Sequence, residues 1–271
     1  MLIRRRSLKR AHEAPLSIFK KVQELTDIDY ALVHLFKENR EYYDVFEQAV
    51  ADGREVILDN SIFELGKAFN GDEYYGWISR LQPTWYIVPD ALEDKDKTIQ
   101  QFEDWMEDYG ESVPPWIKVI GVVQGKSYDE IVECYNYMQQ NADMIAISFD
   151  YGFYEEMFPS EPTKYHSWTR GRQEVLVRMF EEGIIDVNKP HHLLGCSLPQ
   201  EFLVYQTMPW IYSVDTSNPV VHGLLGKRYD PVTGLQDKES VKLFTLIEED
   251  VVDKWEDIEY NIKMFDNFCN G

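Results

Sequence analysis

Ile117-Lys118-Val119-Ile120-Gly121-Val122-Val123-Gln124-Gly125 is an apolar run, broken only by Lys118, that stops at a carboxamide. Strands buried on both faces read this way, because helices cover the two sides of a parallel sheet. Three further stretches are built alike: Glu55-Val56-Ile57-Leu58-Asp59, Trp85-Tyr86-Ile87-Val88-Pro89-Asp90 and Ile211-Tyr212-Ser213-Val214-Asp215. Each closes on a group able to ionise or hydrogen-bond. In strand-helix barrels the functional side chains stand at the C-terminal ends of the strands. Three carboxylates and one carboxamide at four such ends therefore point to one polar pocket.

Strand-like and helix-like segments alternate outward from these runs, as in a parallel sheet with crossover helices. Strands are expected over 30–35, 55–59, 85–90, 117–124, 144–149, 191–196 and 211–215. The eighth is weakly marked: it lies over 221–225 or is missing. Helical spacing of apolar residues marks 39–51 and 95–109. The segment 128–140 follows Ser127, with Glu130 three residues on, a capping-box pattern. Pro199 stands at a first helical position after Leu198, and 250–268 reads as a long amphipathic closing helix. Residues 150–168 read as a long loop after the fifth strand, either a substrate-covering element or an irregular connection. The expected fold is α/β, a single-domain (β/α)8 TIM-type barrel over 1–271, a length that suits the roughly 250 residues of such barrels. Residues 1–14 belong to it or form a flexible basic N-terminus.

Bulk properties narrow the function classes. The hydrophobic content of 44% is that of a soluble globular chain. No apolar run reaches the roughly 20 residues that span a membrane, and no membrane partner is expected. Met1-Leu2-Ile3-Arg4-Arg5-Arg6 lacks the apolar core of a signal peptide. Cys134, Cys196 and Cys269 are odd in number and widely spaced, which suits free thiols in a reducing cytoplasm. The net charge of −21 opposes broad phosphate contact. Arg4-Arg5-Arg6-Ser7-Leu8-Lys9-Arg10 is a local exception, a basic patch or a solvated tail. Much of the acid falls late, from Glu248 to Glu259, as on an exposed face of the last helix.

None of the strand-end residues is specific alone. Asp59, Asp90 and Asp215 could each cap a turn or helix, and Gln124 could sit in a turn. The glycines around Gln124 allow close backbone approach, and its carboxamide offers both a donor and an acceptor. His191 and His192 are adjacent and alternate faces on a strand, so they cannot both enter one pocket. His222, soon after Asp215, is the better candidate for a substrate contact. No ligand spacing supports a metal site.

Taken together and in order, these pieces resemble the tRNA-guanine transglycosylase superfamily, whose members exchange guanine for a 7-deazaguanine on an α/β barrel. Val56-Ile57-Leu58-Asp59-Asn60-Ser61 is similar to the family's Asp-Ser-Gly-Gly-Phe strand end, and Val88-Pro89-Asp90 to its next aspartate. Gly121-Val122-Val123-Gln124-Gly125 resembles its Gly-x-Val-Gln-Gly motif. Leu194-Gly195-Cys196-Ser197-Leu198-Pro199-Gln200-Glu201 resembles its Gly-Val-Gly-x-Pro-Glu turn. The strand ending at Asp215 resembles the one that carries the nucleophile.

The resemblance implies roles. Asp215 would be the nucleophile at the sugar C1′ and Asp59 the general acid/base. Asp90 and Gln124 would read the polar edge of the base, and Phe63 and Leu194 would sandwich its ring. Asn60, Gly125, Ser148, Gly195 and His222 complete the implied substrate-binding set. Two displacements at C1′ need no cofactor and no metal, and a base in a duplex would have to be flipped out. The sequence also departs from the family. The Cys-x-Cys-x-x-Cys zinc element has no counterpart, so the zinc subdomain is expected to be missing. Ser61-Ile62 stands where the family has a glycine pair, and Thr216-Ser217-Asn218-Pro219 replaces a basic Pro-Thr-Arg stretch. These departures fit compact, phage-type relatives that act on DNA rather than tRNA, in the cytoplasm (the host's, if phage-encoded). The expected partners are DNA and a 7-deazaguanine base, with a protein partner as a possible source of the missing basic surface. Two alternatives stay open: a nucleoside or N-glycoside hydrolase using the same carboxylates, and a non-catalytic nucleobase-binding protein.

Overall fold

The computed structural model describes residues 7–67, 69–239 and 241–271. Among them eight strands run in chain order: β1 Lys9–Ala11, β2 Ile28–Leu32, β3 Glu55–Asp59, β4 Trp85–Ile87, β5 Lys118–Val123, β6 Met144–Ser148, β7 His191–Leu194 and β8 Ile211–Asp215. They make one parallel sheet in the order β1-β8-β7-β6-β5-β4-β3-β2. A helix or helical turn follows each strand, and the chain is an α/β protein of the (β/α)8 TIM-type barrel class. It divides into two compact units, Ile28–Ser148 and Met1–Asp27 with Phe149–Gly271. No helix among the described residues is long and apolar enough to cross a membrane.

In the first unit β2 to β6 pair in parallel, with Leu58 opposite Tyr86 and Ile87 opposite Ile120. The helices start where a side chain can take up an orphan N–H. Asn39 accepts from Tyr42 N, Asn70 from Glu73 N, and Asp94 from Lys97 N. Ser127 caps Tyr128–Asn141 by accepting from Glu130 N, and the Glu130 carboxylate reaches back to Lys126 N at 2.7 Å. That helix lies close on β5 because Gly121 has no side chain: a Cβ there would be 2.7 Å from Met138 Sδ. The buried Tyr74 of Gly71–Leu81 donates to Leu58 O and Ile87 O, both at 2.9 Å, tying its helix to β3 and β4.

In the second unit β8 lies between β1 and β7. β1 is the eighth strand, and it corrects the expectation of one over 221–225. Lys9–Ala11 carries two basic residues and no apolar run, so the sequence hides it. Its charges are met from afar: Lys9 donates to Tyr212 OH at 2.7 Å, and Arg10 pairs with Asp27 and Asp266. Of the basic cluster, Arg4-Arg5-Arg6 lies outside the described residues. The segment expected as a strand is instead helix Asn218–Leu224, started by Pro219. Its Gly223 meets Ile258 of the closing helix Trp255–Asn270 so tightly that a Cβ would be 2.6 Å from Ile258 Cα. The expected loop over 150–168 holds a short helix, Phe153–Met157, and the start of Lys164–Glu181.

Two buried histidines of this unit predict its acid response. His12 donates from Nδ1 to Thr216 O, and His191 from Nδ1 to Lys189 O, each at 2.9 Å. Burial lowers each from the ordinary 6.5 to about 4. The unfolded chain takes up protons below 6.5 that the folded chain refuses until about 4. The stability these rings contribute is therefore complete above pH 6.5 and is lost as the pH falls toward 4. Urea unfolding between about pH 7 and 4.5 should show a decline of at most about 1.4 kcal/mol per pH unit for each ring. His191→Phe, which keeps an aromatic ring against Trp210, should make the decline shallower; an unchanged slope would contradict the assignment.

Candidate functional site

The polar strand ends form one linked group in each unit. In the unit Ile28–Ser148, Asp59 closes β3 buried, with Oδ2 accepting from Tyr30 OH at 2.7 Å and Oδ1 from Ser61 N. This is an Asx turn, so the turn reading of Asp59 is met by one oxygen while the other faces Tyr30. Ser61 takes φ 60° and ψ 25°, a left-handed conformation that favours glycine. Its hydroxyl accepts from His34 N at 3.3 Å.

Asn60, fully buried, reaches from the end of β3 to the next strand end. Its Nδ2 donates to Val88 O at 3.0 Å and to Asp90 Oδ1 at 2.9 Å, and its Oδ1 accepts from Ile62 N at 2.9 Å. Gln124, after β5, donates from Nε2 to Asp90 Oδ2 at 2.7 Å and accepts at Oε1 from Glu93 N at 2.9 Å. Asp90 is thus held from both sides by amides. Burial raises its pKa above the ordinary carboxylate value, and the two amide donors offset part of that rise. Each carboxylate oxygen has two lone pairs, so each Asp90 oxygen keeps one beyond these bonds. Next to this buried group Phe63 is 59% exposed, on the short helix Ile62–Leu65. Ser148 is the last residue of β6. Gly125 packs on the helix that follows, where a Cβ would be 2.8 Å from Glu130 Cβ.

In the other unit Asp215 closes β8, buried, with Oδ1 accepting from His192 Nε2 at 3.0 Å and from Gly195 N at 3.2 Å. His192 Nδ1 meets Ser213 Oγ at 2.8 Å. Nε2–H faces the Asp215 carboxylate, which can only accept, and the Ser213 hydroxyl can donate to Nδ1 or accept from it. Asp215 Oδ2 has no hydrogen bond among the described residues. One oxygen is fixed and the other is left with its lone pairs, which is what a carboxylate nucleophile needs.

The turn that delivers Gly195 N is itself clamped. Arg172 and Glu201, both fully buried, pair through Nε–Oε1 at 2.6 Å and Nη2–Oε2 at 3.0 Å. Arg172 also donates to Leu194 O at 2.9 Å and Gly195 O at 3.0 Å, and Tyr205 OH donates to Glu201 Oε1 at 2.7 Å. Gly195 has φ 64°, and a Cβ there would run into the Phe149 ring. His222 lies in helix Asn218–Leu224, bonded through Nδ1 to Asn218 O at 3.0 Å, with burial lowering its pKa.

Asp59, Asn60, Asp90 and Gln124 are therefore brought together in one unit, and Leu194, Gly195 and Asp215 in the other. Sequence reasoning missed Tyr30, Arg172, His192, Ser213 and the role of Glu201. The spacing of Ser213 and Asp215 places both on one face of a strand. His192 can be assigned to them only once it is known to stand opposite Ser213.

The chain matches no protein-family model, and no curated protein sequence is significantly similar to it.

Removing one partner of a buried ion pair leaves an uncompensated charge, at a cost of about 3–5 kcal/mol. Arg172→Met should lose that much by urea unfolding, and pairing it with Glu201→Met should recover most of it. A loss under about 1 kcal/mol in the single variant would mean that the pair does not hold this turn.

Proposed function

We propose that this chain is a transglycosylase that exchanges guanine in a polynucleotide, DNA rather than tRNA, for a 7-deazaguanine base. The observation that carries the reading is Asp215. Its carboxylate stands at a strand end with Oδ1 held by an imidazole and a backbone N–H, and with Oδ2 unengaged. Oδ2 attacks the sugar C1′, the C1′–N9 bond breaks, and its electron pair leaves on guanine, which takes a proton from Asp59. Asp59 recovers that proton from N9 of the incoming base, N9 attacks C1′, and the ester to Asp215 is released. Two displacements retain the anomeric configuration, the logic of retaining glycosidases.

The base-reading part rests on Asn60, Asp90 and Gln124. Asp90 offers acceptors to the N–H edge of a guanine-like ring, Gln124 meets its carbonyl, and the exposed Phe63 supplies a stacking face. Ser61 lends support as well. It occupies the place of the first glycine in the family's Asp-Ser-Gly-Gly pattern, and its backbone takes a conformation glycine favours. The net charge of −21 favours the hydrolysis of a small nucleoside by the same carboxylates, which is the competing reading.

The test is base exchange. DNA and tRNA carrying labelled guanine are each incubated with the protein and a 7-deazaguanine base, and release and incorporation are followed by mass spectrometry. Release with incorporation in DNA is expected, lowered by about 10³-fold or more in Asp215→Ala. Release without incorporation would establish the hydrolase instead, and no release from either polymer would overturn the proposal.

A further inference from the structure

In a chain of net charge −21 most cations that approach the buried interior are engaged by carboxylates, as Arg10, Arg54, Lys95 and Arg172 are. Lys238 is different. Its side chain is half-buried, and its Nζ stands over the Phe149 ring, 4.1 Å from the centroid. Its ammonium makes no hydrogen bond or ion pair among the described residues. Burial lowers its pKa, and the charges it feels include Asp150 and Asp215, which favour the ammonium, and Arg172, which opposes it. A half-buried ammonium has lost part of its hydration, and a cation–π contact offsets only part of that loss. With no carboxylate oxygen within ion-pair distance among the described residues, the ammonium has room for an anion.

Its position says which anion. The Phe149 ring under Lys238 is the ring that closes on Gly195, and Gly195 N holds Asp215 Oδ1. Lys238, Phe149, Gly195 and Asp215 follow one another in contact within a single unit. A nucleotide whose C1′ faces Asp215 carries a phosphodiester on each side of the same sugar. The first negative charge beside the reacting carbon belongs to one of those phosphates.

We propose that Lys238 binds a phosphate flanking the nucleotide whose base Asp215 displaces, and so supplies the cation that the acidic surface otherwise withholds from a DNA strand. This rests on the transglycosylase reading. It adds to that reading a specific polymer contact, one that a free base or nucleoside does not make.

The experiment measures binding of a fluorescent single-stranded DNA oligonucleotide with one guanosine to protein carrying Asp215→Asn, which stops turnover. Lys238→Met keeps the aliphatic stem over Phe149, and Lys238→Arg keeps the charge. Lys238→Met should weaken binding roughly tenfold at low salt and lower the slope of log K against log[salt] by about 0.7, the contribution of one phosphate on a single strand. Lys238→Arg should restore most of both. Replacing each flanking phosphate in turn by a neutral methylphosphonate should, at one of the two positions, abolish the difference in affinity between the protein with Lys238 and its Lys238→Met variant. Equal affinity and equal slope for these two proteins would overturn the phosphate contact while leaving base exchange in the preceding assay untouched. Absence of any DNA binding by the protein with Lys238 would overturn it together with the DNA-acting reading. Thermal unfolding of the three proteins identifies any loss that comes from misfolding.

Discussion

The arrangement around Asp215 depends on the buried ion pair of Arg172 and Glu201. Such a pair gives little net stability, because taking two charges out of water costs about as much as their attraction returns. Its effect here is positional. The guanidinium gives two bonds to Glu201 and two more to the carbonyls of Leu194 and Gly195. With those carbonyls fixed, Gly195 N is aimed at Asp215 Oδ1, and the left-handed turn at Gly195 lets the Phe149 ring pack where a side chain would stand. The carboxylate is left with one restrained and one open oxygen, and Lys238 is placed over the same ring.

The group at the ends of β3, β4 and β5 is organised on another principle. Asn60 and Gln124 grip Asp90 by amide donors, so a carboxylate that burial would protonate more readily is stabilised on both oxygens. Buried polar groups of this kind hold a fold together only when every member is satisfied. Asp59 and Asn60 also build consecutive Asx turns onto Ser61 and Ile62, which forces Ser61 into its left-handed backbone. A turn residue and a candidate catalytic residue are thus the same side chain at Asp59. The two readings of that position were never exclusive.

The sequence was legible where one local signal governs the outcome. The runs ending at Asp59 and Asp215 match β3 and β8 residue for residue, whereas the run ending at Asp90 is strand only over Trp85–Ile87, because Pro89 has no N–H to give a neighbouring strand. Ser127 and Glu130 likewise mark a helix start by a local signal. β1 was not legible: Lys-Arg-Ala has no strand signal, and its charges are met by Asp27, Tyr212 and Asp266, which only the fold brings near. Arg172 and Glu201, 29 residues apart, carry no spacing signal. His192 was visible as one of an adjacent pair, yet which of the pair turns inward is decided by the register of β7 on β8. Lys238 sits in a stretch with neither helical nor strand periodicity, and its importance comes from what surrounds it.

The most direct measurement is to look for the covalent link itself. The protein is mixed with a guanine-containing DNA oligonucleotide in the absence of any incoming base, quenched under denaturing conditions and digested, and the peptides are mapped by mass spectrometry. A sugar ester on the peptide holding Asp215, lost when a 7-deazaguanine base is added before the quench, is the expected result. Guanine release with no adduct, or an adduct on Asp59 in place of Asp215, would contradict the assignment of Asp215 as the nucleophile.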